Sequence, residues 1–204
     1  MNRLLPASVQ RGLVLASGSP RRATILRMLG FDFEVVVTPV AEDVAPGRGP
    51  EAHVRELALR KAEAARAARP RELLIGADTV VVVDGDILEK PATEEEALAM
   101  LRRLRGRWHQ VHSGVAVLDA ASGRSLVGAE RTEVRFEDRD DDFLRRYVAT
   151  RECMDKAGAY AIQGQGALLV REIRGCYYNV MGFPIHCFME LLLGLRSGED
   201  GNAG

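Results

Sequence analysis

Short continuous apolar runs alternate along the chain with segments of helical spacing, the pattern of an α/β protein. Leu13-Val14-Leu15-Ala16 reads as a buried strand. It breaks at Ser17-Gly18-Ser19-Pro20 and passes into Arg21 to Leu29, where apolar residues recur at helical intervals. Ser19 suits the N-cap, Pro20 the first helical position, and Gly30 the stop. Phe31 to Val37 predicts a second strand, and Thr38 to Pro50, rich in Pro, Gly and acids, predicts a loop. Glu51 to Ala68 consists mainly of Ala, Leu, Arg and Glu, which predicts one long helix. Leu73 to Val83, ending in four valines before the Asp84-Gly85 turn, predicts a central strand.

Farther along, Thr93 to Leu104 predicts a helix opened by a capping box, with Glu96 three residues after Thr93. His109 to Leu118 and Ser125 to Phe136 read as antiparallel strands joined around Ser122-Gly123. Asp140 to Val148 begins with acids, as the dipole of a helix favours. Ala159 to Ile162, Ala167 to Val170 and Cys176 to Asn179 read as short strands, and Pro184 to Leu195 as a closing apolar helix. Ser197 to Gly204 is polar and Gly-rich, which predicts a disordered tail. The expected fold is α/β, with a mixed central sheet flanked by helices and no internal repeats.

Composition narrows the function. The 204 residues include 28 Lys+Arg and 29 Asp+Glu, and that balance argues against bulk electrostatic binding of nucleic acid. Aromatics are 5% of the chain, with Trp108 the single tryptophan, too few for base-stacking platforms. A small anionic ligand needs only a local positive pocket and stays open. Cys153, Cys176 and Cys187 form no close pair, so the expectation is buried or half-buried thiols rather than a disulfide framework or zinc knuckle. His53, His109, His112 and His186 show no metal-ligand spacing. The N-terminus lacks a long apolar run and no segment is long enough to span a bilayer, so a cytoplasmic protein is expected.

Four segments carry candidate chemistry. The strand–loop–helix from Leu13 to Leu29 offers free backbone N–H groups, the hydroxyls of Ser17 and Ser19, and the guanidiniums of Arg21 and Arg22. Such a loop suits a polyphosphate, although it is neither a Walker A loop nor GxGxxG, and two solvated arginines on a surface helix are an equal reading. Asp78 interrupts an apolar strand, and a buried carboxylate is costly unless paired or bound to metal. Lys90 follows that strand, where an ordinary turn lysine is the stronger reading of the residue alone. Asp155-Lys156 leads into a small-residue segment ending at Gln163-Gly164. Together these cations and acids favour a phosphate-handling enzyme using Mg2+ over a binding module.

The segments resemble, in order, the Maf family of nucleoside triphosphate pyrophosphatases. The matching pieces are Leu15 to Arg22 (LASGSPRR), Leu57 to Lys61 (LALRK), Ile75 to Pro91 (IGADTVVVVDGDILEKP), the segment from Met100, Asp155 to Gly164 (DKAGAYAIQG) and Tyr177 to Ile185 (YYNVMGFPI). The resemblance covers residues 12 to 195. It implies one catalytic domain over residues 11–196, of two lobes around a cleft, similar to inosine triphosphate pyrophosphatase, with flexible termini at 1–10 and 197–204. It also implies a homodimer, and hydrolysis of a triphosphate to monophosphate and pyrophosphate with a divalent cation, Mg2+ or Mn2+.

Carried over residue by residue, the resemblance makes Asp78, Lys90, Arg22 and Lys61 catalytic, with Asp78 as general base. Ser17, Ser19, Arg21, Thr79, Gln163, Asp155 and Lys156 would bind substrate, and Glu42 and Asp78 the metal. Arg21, Thr79 and Gln163 match the members that prefer dTTP and UTP; members acting on 7-methyl-GTP tend to have Trp, Gln and Glu there. An amide donates and accepts, which suits a pyrimidine edge, whereas a carboxylate suits a cationic methylated guanine. The chain departs from the family at Cys153, where proline is common, at Ser113 in place of Thr, and at Pro39-Val40-Ala41, which lacks the acids that often precede Glu42. The competing readings are 7-methyl-GTP hydrolysis, a non-enzymatic regulator of septum formation, and a nucleic-acid-binding protein that charge and aromatic content disfavour.

Overall fold

The computed structural model describes residues 2–41 and 47–200, so Glu42 lies outside the described residues. Its strands are β1 (Leu13–Leu15), β2 (Glu34–Val35), β3 (Leu73–Val83), β4 (Asp86–Leu88), β5 (Trp108–Asp119), β6 (Ser125–Phe136) and β7 (Val170–Arg174). Its helices are α1 (Pro20–Met28), α2 (Pro50–Ala65), α3 (Glu94–Leu104), α4 (Asp141–Ala149), α5 (Tyr177–Val180) and α6 (Ile185–Asp200). The strands form one mixed sheet in the order β2-β1-β3-β5-β6-β7, with β4 paired to β3 off that path. β1 is parallel to β2 and β3, with Val14 opposite both Glu34 and Leu74. β4 is antiparallel to β3, and β7 is antiparallel to β6 with a register shift at Arg135/Phe136. The expected mixed sheet with flanking helices is therefore the observed one.

The chain divides into two compact units. The first takes its described residues from Met1–Asp78, Ser113–Glu130 and Gly182–Gly204, the second from Thr79–His112 and Arg131–Met181.

In the first unit, α2 lies directly on the sheet because the facing residues are small. A Cβ on Gly76 would stand 2.0 Å from the Ala58 carbonyl oxygen and 2.8 Å from the Ala62 amide nitrogen. A Cβ on Gly114 would stand 2.2 Å from the Val54 carbonyl oxygen. Ala58, Ala62 and Ala65 are fully buried in the same contact, with Leu74, Ala116 and Leu118. The high Ala content that predicts the helix thus also sets how close it approaches the strands.

The second unit is packed with larger side chains. Leu101 and Leu104 of α3, Val134 and Phe136 of β6 and Leu144 of α4 share its core. Each such buried side chain contributes about 1.5–3 kcal/mol of transfer free energy. His109 stands edge-on to Phe136 and Tyr160, at centroid distances of 4.9 and 5.3 Å. Its Nε2 meets the Tyr160 hydroxyl at 2.9 Å, and burial lowers its pKa from 6.5 to about 3.

Several local expectations change. The predicted second strand shrinks to Glu34–Val35, and the turn at Asp84-Gly85 carries a short returning strand, β4. Of the three predicted short strands, 159–162 starts on the last residue of a 3-10 turn, Ala157–Ala159, and is irregular from 160 on, and 167–170 is mostly a second 3-10 turn, Gly164–Leu169. The third, 176–179, is the short helix α5. Four-residue apolar runs carry too little periodicity to separate strand from turn. The Thr93 cap is present, since its Oγ1 accepts from the Glu96 amide at 3.2 Å, but the Glu96 carboxylate accepts from the Ala92 amide rather than from Thr93. α6 continues to Asp200, beyond the apolar pattern that ends at Leu195. Flexibility is the sequence expectation for residues 1–10, yet Asn2 and Gln10 bond reciprocally, the Asn2 amide to Gln10 Oε1 at 2.7 Å and Gln10 Nε2 to the Asn2 carbonyl at 2.8 Å. Asn2 Nδ2 also reaches the Leu29 carbonyl just after α1.

Candidate active site

In the first unit, β1 ends at Leu15 and the chain turns through Ser17-Gly18-Ser19 into α1. Pro20 occupies the first turn and Ser19 is the N-cap residue, although its hydroxyl makes no capping hydrogen bond. The Ser17 hydroxyl instead accepts from the Ser19 amide at 3.2 Å, which folds the loop on itself. Arg22 lies beneath this turn with 8% of its surface exposed. Its Nη1 donates to Ser17 Oγ at 3.0 Å and its Nε to the Gly182 carbonyl at 2.9 Å. Arg22 is thus a strut for the loop rather than a solvated surface charge. Arg21, its neighbour, is half-buried.

The interior acid of β3 has a partner. Lys61 Nζ of α2 stands 2.7 Å from Asp78 Oδ1, and the two side chains are 15% and 10% exposed. Side chains alternate along a strand, so Gly76 and Asp78 point to the same face. Gly76 admits the α2 backbone, and α2 then delivers Lys61 to Asp78 one residue pair farther along. Ion pairs this buried are costly to break, because the remaining charge is left without compensation.

The second unit holds the other candidates. Lys90 is exposed just after β4, and Gly158 of the DKAG segment donates its amide to the Glu89 carbonyl at 3.0 Å, so the two segments are neighbours. Lys156 is folded inward, with its side chain 14% exposed, and its ammonium bonds the Glu152 carbonyl and the Asp155 carboxylate. Asp155 is 63% exposed. Thr79 is half-buried on β3, and Gln163 is exposed at the start of the Gly164–Leu169 turn.

The resemblance implies a divalent cation, and the donor chemistry can be tested against it. Among the described residues no group of three or more His, Cys, Asp or Glu side chains comes together as a metal cage. A zinc centre closed by protein ligands therefore does not fit these residues, whereas Mg2+ does, since it takes one or two carboxylates and completes its shell with substrate phosphates and water. Asp78 supplies such a carboxylate. The three thiols are free, and burial raises Cys187 to about 11, which keeps it protonated and unreactive.

Comparison with known proteins gives the ancestry. Residues 12–195 match the family of Maf-like proteins. The chain belongs to the Maf family.

Within that family, curated relatives named dTTP/UTP pyrophosphatase are closely similar to this Maf protein. One from Pelotomaculum thermopropionicum is 48% identical over 88% of this chain and 94% of its own. Another from Dictyoglomus thermophilum is 45% identical over 90% of this chain and 96% of its own. A third from Symbiobacterium thermophilum is 48% identical over 88% and 92%. Among solved structures, the Ham1 protein of Staphylococcus aureus aligns with 62% of this chain and 72% of its own, at 18% identity and a TM-score of 0.45.

Sequence reasoning missed three residues that hold candidate side chains in place, one in the first unit and two in the second. Gly76 stands inside a quoted motif, but its role depends on a helix that precedes it by eleven residues or more. Glu152 and Tyr147 bind the backbone around Gln163, and no spacing rule marks them. The only signal was a Gly-X-Gly turn at Gly164-Gln165-Gly166 that needs an acceptor for its amides. No helix among the described residues is long and apolar enough to cross a membrane.

Proposed function

We propose that this protein hydrolyses dTTP and UTP to the monophosphate and pyrophosphate. The observation that carries the reading is the Lys61–Asp78 pair, a buried carboxylate held by an ammonium, in a chain whose family relatives bear the name dTTP/UTP pyrophosphatase. Water attacks the α-phosphorus while pyrophosphate departs, so negative charge grows on the leaving oxygens. Asp78 orients the water and takes its proton. Lys61 holds Asp78 Oδ1, which restricts the carboxylate to one rotamer and leaves its direction fixed during the reaction. The amides and hydroxyls of Ser17 and Ser19, with Arg21, bind phosphate oxygens, and Arg22 keeps that loop in the binding conformation. Lys90 neutralises developing charge. Thr79, Gln163, Asp155 and Lys156 form the recognition set, with Lys156 bracing the turn that carries it.

Asp78 is the described residue that would hold the divalent cation, with Glu42 as the second carboxylate of the proposal. When bound, the cation supplies positive charge to the phosphate oxygens. A homodimer in the cytoplasm completes the reading. The decisive experiment offers dTTP, UTP, CTP and 7-methyl-GTP to the purified protein with Mg2+ and follows pyrophosphate release. Faster release from 7-methyl-GTP than from dTTP or UTP overturns the assignment.

A further inference from the structure

The turn that carries Gln163 is pinned by two side chains to which the reaction assigns no step. Tyr147, on α4 and 4% exposed, accepts from the Ala161 amide at 3.2 Å. Its hydroxyl donates in turn to Glu152 Oε1 at 3.2 Å. The same carboxylate accepts from the Gly166 amide through Oε1 at 2.9 Å and from the Gln165 amide through Oε2 at 3.0 Å. Between these points Gly164 adopts φ +68°, and a Cβ there would lie 2.6 Å from Glu152 Oε2, so the backbone closes tightly over the carboxylate. Glu152 is itself braced, since its carbonyl accepts from Lys156 Nζ and its amide donates to Thr150 Oγ1 at 3.3 Å. Burial raises the Tyr147 hydroxyl well above the usual phenol range, which keeps it a donor toward the carboxylate.

Gln163 sits in the middle of this arrangement, two residues after the Ala161 pin and two before the Gln165 pin. Its own side chain is exposed and makes no capping bond to the turn. A free amide on an unpinned loop samples many orientations and rejects a wrong base weakly, because each orientation meets a different edge. The Glu152 carboxylate, accepting two backbone N–H bonds at once, restrains the chain after Gln163 with charge-assisted bonds, and the Tyr147 hydroxyl bonded to it restrains the chain before. We infer that Glu152, with Tyr147 as its relay, is a positioning residue that sets base discrimination by presenting the Gln163 amide in one orientation. This rests on the reading that the substrate is a pyrimidine triphosphate met by Gln163.

The test uses Glu152→Gln and the milder Tyr147→Phe. In Glu152→Gln one oxygen becomes an NH2 that accepts nothing, so at least one pinned amide loses its partner. Hydrogen–deuterium exchange of ligand-free protein should rise about ten-fold or more across residues 161–166 in Glu152→Gln, and less in Tyr147→Phe. With nucleotide, KM for dTTP should rise about ten-fold with kcat changed less than about two-fold, and the preference for UTP over CTP should fall about five-fold. In a Gln163→Ala background, adding Glu152→Gln should leave the UTP/CTP ratio where Gln163→Ala puts it, because both changes act through one amide. Unchanged exchange across 161–166 overturns the inference, as does raised exchange with an intact UTP/CTP preference. If the parent protein releases no pyrophosphate from any pyrimidine triphosphate, the substrate reading itself fails, and that failure is seen before any variant is compared.

Discussion

Asp78 lies on an interior strand and Gln163 on an exposed turn, and the two are held by different means. Asp78 is oriented by regular elements: β3 carries it, α2 rests on Gly76 two residues away, and Lys61 closes on its carboxylate at 2.7 Å. Gln163 is oriented by side chains that reach out to the backbone of an irregular segment, chiefly the Glu152 carboxylate. A proton-transferring group tolerates little displacement, and packed helices and strands give the firmest placement. A base-reading group needs its orientation set but also needs room for a ligand, which suits a loop pinned at its flanks. Substitutions in the two regions should therefore fail differently, the first in turnover and folding, the second in selectivity.

The largest effect should come from Asp78→Asn, which keeps the shape of the side chain and removes the proposed base. Turnover of dTTP should fall about 10^3-fold or more while the nucleotide still binds. Hydrolysis by this variant at the parent rate, with binding followed by calorimetry, would remove Asp78 from the mechanism. Next is Gly76→Ala, which drives a methyl group against the Ala58 carbonyl. A loss of about 3 kcal/mol or more is expected, read as a lower urea midpoint with unchanged slope. A midpoint equal to the parent's would mean that α2 does not depend on that close approach.

The second unit offers a pH test. His109 is neutral in the folded protein down to about pH 3, whereas in the unfolded chain it binds a proton below its ordinary value of 6.5. The unfolded state then holds more protons, so stability rises with pH in this window. The contribution is complete above pH 6.5 and declines as the pH falls toward 3, by about 1.4 kcal/mol per pH unit. His109→Phe should flatten the difference between stabilities measured at pH 7 and pH 5, and a slope equal to the parent's contradicts the burial argument. The smallest effect is expected for Gln163→Glu, an exposed substitution. It should lower dTTP over 7-methyl-GTP selectivity by about ten-fold without moving the urea midpoint. Selectivity held at the parent value would place base reading elsewhere.

Much of the fold was legible in the sequence. The long helix at α2, the capped α3, and the strands β3, β5 and β6 all follow from apolar period and from Thr93, Pro20 and the glycine turns. Asp78 could also be singled out, because a lone carboxylate in a run of valines and leucines requires a partner. The partner itself could not be read from residue spacing: the family resemblance made Lys61 catalytic without joining it to Asp78, and the contact appears once α2 is laid on the sheet. Residues 157–180 were the least legible, since short turns there are set by amide acceptors such as Glu152 rather than by any repeat of apolar positions.

By itself the sequence determined the longer elements, the mixed α/β class and the odd acid in the central strand, all properties carried within a window of a few residues. The tertiary structure decided how closely α2 approaches β3, that Arg22 braces its loop, and that Glu152 closes over the Gln163 turn. Periodicity and capping are local, so a single strand of text records them. Close approach and hydrogen bonding between distant segments depend on which surfaces meet, and only the folded chain brings those surfaces together.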